Sequence, residues 1–169
     1  PNGLAGIAEA VFLFGFSFWM FNPTLADPDL WGHLRFGLDT LAAGAIVRHD
    51  PYSFMNAGTE WINHEWLSEV IFALIYATFG ASGLVLFKTA IGLGIVALAW
   101  HQLIRSRVPA MRRLFPLLLM SLLLTVSLGT VRPHLFTLAA FAITVWAICR
   151  RETVYSDSSY RKNLNFKYG

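Results

Sequence analysis

The sequence predicts an all-α integral membrane protein, a helical bundle of about four transmembrane helices plus juxtamembrane helices in a long first loop. Three observations lead there. Of the 169 residues, 56% are hydrophobic and 14% are charged, whereas soluble domains carry about a quarter charged residues. So few charges cannot cover a water-facing surface, and lipid must solvate much of the chain. Apolar runs long enough to span a bilayer recur between polar corners. Charge is also segregated: Asp27, Asp29, Asp39, Asp50, Glu60, Glu65 and Glu69 hold most of the acid, while most Arg and Lys follow residue 104.

The first run, residues 5–22, is closed by Asn22-Pro23 and reads as a transmembrane helix, with Glu9 tolerable if that end lies in the interface. Residues 23–83 form a long polar loop holding three histidines and most of the acids. Within it, residues 34–41 suit a short amphipathic helix ending at Gly44, because Gly favours a helix C-terminus. Arg48 to Tyr52 and Asn56-Ala57-Gly58 are turn chemistry, since the residue before Pro51 is pushed out of the helical region. Residues 66–79 are apolar but short, which suits an interfacial helix closed by Gly80-Ala81-Ser82-Gly83. Residues 84–104, 114–131 and 135–149 read as further spans, and 152–169 as a polar cytoplasmic tail.

Placing 66–79 in the interface puts Arg105 to Arg113 and Arg150-Arg151 on one side and the acidic loop on the other. The positive-inside rule favours this arrangement, with the loop facing the periplasm or exterior and both Arg clusters facing the cytoplasm. The corner Arg132-Pro133-His134 then returns to the side of the acidic loop. No soluble basic face with interleaved aromatics exists, which excludes nucleic acid as a partner. Cys149 is the single cysteine, so no intramolecular disulfide forms. No basic n-region precedes the first apolar run, so no signal peptide is assigned, and the chain reads as a fragment.

Several residues carry chemistry. Asp27-Pro28-Asp29 holds two carboxylates close together, able to act as general base or to bind a divalent cation; equally, Asp29 can N-cap the helix that follows. His33 lies one helical turn after Asp29. Trp61, His64, Glu65 and Trp66 read either as an aromatic belt with polar tips or as a platform for a sugar or lipid phosphate. Arg132 and His134 flank a proline at the end of a span, where a cation either meets a lipid-linked phosphate or snorkels to the headgroups. Lys88 has the same two readings. His101 and the arginines at 105–113 suit topology and headgroup contacts. Met55, Met111 and Met120 suit packing, and Gly92 with Gly94 suits close helix contact.

The run from Asp27 to Arg35, then His49 to Phe54, then His64-Glu65-Trp66-Leu67-Ser68-Glu69 and Arg132-Pro133-His134-Leu135-Phe136 resembles bacterial membrane proteins of the GT-C glycosyltransferase superfamily. The likeness covers roughly residues 8–150 and extends to protein mannosyltransferase-like and aminoarabinose transferase-like enzymes. It implies a first helix, a long periplasmic loop with juxtamembrane helices, and further spans. It also implies a polyprenyl-phosphate sugar as donor, with Asp29 or Asp27 as base or metal contact and Arg132 or His134 near the lipid phosphate. Trp61 and Trp66 would shape the sugar site. The family carries many more spans than this chain and often a soluble C-terminal domain. Position 32 is Gly where relatives are expected to carry a second Trp. The alternative expectation is a non-catalytic scaffold serving as an accessory transmembrane subunit of a larger complex. A transporter ranks third, because the spans hold few polar residues. No cofactor is assigned beyond a candidate divalent cation.

Overall fold

A computed structural model describes residues 3–25 and 27–168, with side chains described through Arg151. The polar tail expected at 152–169 lies outside the described side chains. The chain is an all-α membrane bundle of α1 (Leu4–Phe21), α2 (Pro28–Ala43), α3 (Trp66–Arg105), α4 (Ala110–Ser127) and α5 (His134–Tyr168). Four of these helices, α2 excepted, are long and apolar enough to cross a bilayer.

The helix α2 begins earlier than its apolar pattern suggests. Pro28 occupies the first turn, where its missing N–H is no loss, so the cap falls to Asp27 rather than Asp29. The Asp27 carboxylate accepts the Asp29 N–H at 3.1 Å. Gly44 closes the helix in the left-handed region at φ 62°. Leu34, Gly37 and Thr40 are buried at helical spacing and turn one face of α2 toward α3.

Unbroken, α3 would be about 60 Å long, twice the hydrocarbon core of a bilayer. Gly80, at φ 65° and ψ −160°, breaks it into arms over 66–79 and 81–105. The Phe72 and Phe87 rings lie 6.3 Å apart, where a straight helix would separate them by about 22 Å. The arms therefore fold toward each other, and Phe136 of α5 stacks into the angle at 5.7 and 5.8 Å from the two rings.

Helices α1 and α4 run parallel in register. Ser17 and Ser121 share a 2.9 Å hydrogen bond, and Glu9 pairs with Arg113, both contacts spanning 104 residues. At the same offset, the Leu25 N–H donates to the Gly129 carbonyl at 2.8 Å. The second arm of α3 runs antiparallel to them: Thr89 bonds the end of α1, and Trp100 donates to Glu9 near its start. Gly92 permits the close crossing, since a Cβ there would fall 2.7 Å from the Phe21 ring and 2.5 Å from Leu128. Gly94 has no neighbour within 4 Å of a Cβ, which corrects its assignment to helix contact.

The bundle thus has an arginine end, with Arg105, Arg107 and Arg112 exposed, and a loop end, where α1 and α4 finish and α5 begins. Arg113 departs from its expected headgroup role. It is buried and bonded to the Glu9 carboxylate through two nitrogens, and its third donates to the Val108 carbonyl at 2.9 Å. That pairing begins α4 at Ala110, four residues before the expected 114, and leaves Leu128 and Val131 as a buried corner. Met55 and Met111 are exposed rather than packed, whereas Met120 packs against the core.

Lys88 sits where the ends meet. Neither headgroup nor phosphate reaches it: it is fully buried, and its ammonium donates to the carbonyls of Phe21, Pro23 and Leu128 at 2.7, 2.8 and 2.6 Å. These oxygens lie at the C-terminal ends of α1 and α4, which lack intrahelical partners and carry partial negative charge. Replacing it, as in Lys88→Met, leaves all three without a donor. An orphaned buried acceptor costs about 1–3 kcal/mol, so the expected result is a clear drop in midpoint when the purified protein is melted in detergent. An unchanged midpoint would contradict this role.

Candidate functional site

The loop end brings α2, the first arm of α3 and the 128–134 corner around one cavity of about 570 Å³, lined by Asp29, His33, Glu65, Arg132 and His134 together with Pro28, Gly32, Phe36 and Pro133. A second cavity of about 430 Å³ lies beside Asp27 and shares Pro28, Arg132 and His134 with the first. The expected convergence of the acidic loop and the Arg132 corner is therefore a feature of the fold.

Arg132 connects the two. Its Nε and Nη2 both donate to the Asp27 carboxylate, and Nη2 also reaches Asp29 at 3.0 Å. Asp27 is 3% exposed. The hydrogen bond from Arg132 holds its carboxyl below the usual aspartate range, against the opposing effect of burial. The same bond raises the Arg132 guanidinium. Asp27 is thus a buried anion that caps α2 and anchors Arg132, which corrects its reading as a base. Asp29 is exposed, and it is the carboxylate an incoming group can reach.

As a metal pair, Asp27 and Asp29 do not fit. The guanidinium already spans both carboxylates, and a cation placed between them would meet that positive charge directly.

Behind Arg132 stands a second cluster. The His33 Nδ1 lies 3.2 Å from Glu69 Oε1 and 3.7 Å from Glu65 Oε2. A carboxylate can only accept, so Nδ1 carries the proton. The Glu69 bond raises the His33 pKa above its ordinary value, with burial opposing and Glu65 adding to the rise. Glu69 is 2% exposed, and its Oε2 accepts from Asn63 Nδ2 at 2.6 Å. Asn63 in turn accepts the Glu65 N–H at 3.1 Å. Sequence reasoning passed over Glu69 as a site residue. The Glu65/Glu69 spacing of one helical turn was the available signal for Glu69. The contact survives because Gly37 lets α2 approach: a Cβ there would lie 2.2 Å from the Glu69 carbonyl oxygen.

His134 donates from Nε2 to the Ser127 carbonyl at 2.8 Å, tying the start of α5 to the end of α4. Trp61, His64 and Trp66 lie away from the lining of the cavity. Trp61 packs on Phe36 at 4.7 Å, and Phe36 meets Tyr52 at 5.1 Å. These rings seat the 48–61 hairpin, paired through His49 and Glu60, against α2. The His64 side chain is 82% exposed, and Trp66 is exposed.

Comparison with known protein families, curated proteins and solved structures found no match to this chain.

Two substitutions test the geometry. Alanine exceeds glycine in helix propensity by about 1 kcal/mol, yet Gly37→Ala should lower the melting midpoint, because the added methyl collides with the Glu69 backbone. A raised midpoint would refute the close approach. Asp27 has a depressed folded pKa, so its stabilising effect is present above the ordinary aspartate value and fades as pH falls through the depressed one. Arg132→Met should therefore lower the melting midpoint near neutral pH, because it leaves the buried Asp27 carboxylate without its partner. The gap between variant and wild type should close below about pH 4, as read from unfolding at stepped pH.

Proposed function

We propose that this chain is a membrane glycosyltransferase-like protein that transfers a sugar from a polyprenyl-phosphate donor to an acceptor. The observation that carries the reading is the cavity at the loop end, where the exposed Asp29 carboxylate and the Arg132 guanidinium face one space. Asp29 is the base. It takes the proton of the acceptor hydroxyl as the acceptor oxygen bonds to the anomeric carbon. The bond from that carbon to the phosphate oxygen breaks on the opposite face, so configuration inverts and the lipid phosphate departs with the electron pair. The Arg132 Nη1, not used in the bonds to Asp27 and Asp29, is positioned to meet that charge. Fixed positive charge at a developing anion is usually the largest catalytic contribution. Asp27 holds Arg132 in place for this task.

The same reading assigns the protein to a bacterial inner membrane. The exposed arginines lie toward the cytoplasm and the cavity toward the periplasm, in keeping with the positive-inside rule. Trp61, His64 and Trp66 fit a role in guiding the acceptor or lipid toward the cavity mouth.

A second reading, an accessory transmembrane subunit, is favoured by a different observation. An apolar groove of about 480 Å³ runs between α3, α4 and α5 and includes Phe141, which is 68% exposed. Such a face suits packing against further helices, whether from the same polypeptide or from a partner.

The test of the first reading is transfer from a polyprenyl-phosphate sugar, followed as release of polyprenyl phosphate in proteoliposomes. Asp29→Asn should reduce the rate about 10²–10⁴-fold, the usual contribution of a general base, with the melting midpoint retained. Transfer at the wild-type rate in this variant would rule out Asp29 as the base. No transfer by the wild-type protein with any polyprenyl-phosphate sugar would favour the subunit reading.

A further inference from the structure

The His33, Glu65 and Glu69 cluster takes no part in the proton transfer or phosphate stabilisation described above, yet it is the most organised group of polar side chains in the cavity wall. One ligand atom from each lies within 4.8 Å of the others. His33 comes from α2, Glu65 from the N-cap of α3 and Glu69 from its first turn, so the site is assembled by the packing of two helices.

We propose that His33, Glu65 and Glu69 bind one divalent cation of the imidazole-seeking class, represented by Zn²⁺. Four features of the geometry carry this. First, in a tetrahedral zinc site with bonds of about 2.1 Å the ligand atoms stand about 3.4 Å apart; the separations from His33 Nδ1, 3.2 Å to Glu69 and 3.7 Å to Glu65, bracket that value. A cation can take the place of the Nδ1 proton once the Glu65 and Glu69 oxygens, which lie within 4.8 Å of each other, close to the same spacing. Second, the ligand set is one imidazole and two carboxylates. Imidazole selects Zn²⁺ and its transition-metal neighbours over Mg²⁺ and Ca²⁺, which prefer more numerous oxygen ligands.

Third, a ligating carboxylate needs an outer partner to orient it, and Asn63 supplies one. Asn63 is 6% exposed, and its amide fixes the oxygen of Glu69 that faces away from His33. Fourth, the site has an entry path. His33 and Glu65 line the 570 Å³ cavity while Glu69 is buried behind them, so three protein ligands leave a fourth position open to the cavity. The site stands on these side chains alone and is independent of the sugar-transfer reading.

The experiment is calorimetric titration of Zn²⁺ into the full chain, purified in detergent and stripped with chelator. One saturable equivalent is expected for the wild type. Glu65→Gln and His33→Gln should each weaken binding about tenfold or more, whereas Asp29→Asn should bind as the wild type does. Because the Glu65 side chain is 37% exposed, its substitution leaves the buried core intact, and a retained melting midpoint verifies this. Absence of saturable binding, wild-type affinity in a folded Glu65→Gln variant, or loss of binding in Asp29→Asn would each overturn the assignment.

Discussion

An ammonium group deep in a protein is expensive to desolvate, by several kcal/mol even after relaxation, and it persists only where the surroundings supply acceptors in the right directions. Lys88 meets that condition with three carbonyl oxygens from two helix ends. The carbonyls would otherwise be orphans at the C-termini of α1 and α4, so each side removes the other's penalty. The consequence reaches beyond local stability. With Phe21, Pro23 and Leu128 gathered on one point, the chain segments that leave them, 24–27 and 129–132, must emerge side by side. The Leu25–Gly129 backbone bond continues that pairing, and the Asp27–Arg132 ion pair completes it. The cavity is thus a product of how the spans end.

The opposite end of the bundle uses a different solution to the same problem. Glu9 and Arg113 are a buried pair, with Trp100 and the Val108 carbonyl taking up further bonding capacity. One polar lock at each end and the Ser17–Ser121 bond between them hold α1 and α4 in a single register. In lipid, where apolar faces gain little by meeting one another, such bonds and close small-residue contacts set helix association. Gly92 provides the close contact for the second arm of α3. Along its length α5 packs on α3, where Trp146 donates to His101, and an apolar groove stays open between α3, α4 and α5.

Much of the architecture was legible in the sequence. Apolar length marked the spans, and the separation of acids from arginines placed the 132–134 corner with the loop. The turn and cap residues marked the ends of α2, although the cap itself moved from Asp29 to Asp27 because Pro28 fits the first helical turn. What the sequence hid has two causes. Lys88 binds backbone carbonyls, which every residue possesses, so nothing in the pattern names its partners. The His33–Glu69 and Asp27–Arg132 contacts join residues 36 and 105 positions apart, and no local periodicity reports on pairs so distant. The fold at Gly80 belongs to the first kind: the glycine was visible as the end of an apolar run, but not the angle that brings Phe72 onto Phe87. Trp61 was misleading for the converse reason. An aromatic beside a His and a Glu looks like a site, while its ring lies on Phe36 and seats a hairpin.

The cavity depends on the exits of α1 and α4 lying side by side at the loop end. The most direct measurement is oxidative cross-linking of a Leu25→Cys, Gly129→Cys pair in membranes, with Cys149 replaced by Ser and a Leu25→Cys, Arg107→Cys pair for comparison. Gly129 has room for a Cβ, whose nearest neighbour would be the Thr125 carbonyl at 3.4 Å. The structure predicts a rapid intramolecular disulfide in the first pair and none in the second. No cross-link between 25 and 129, or equal cross-linking of both pairs, would contradict the convergence from which the cavity is built.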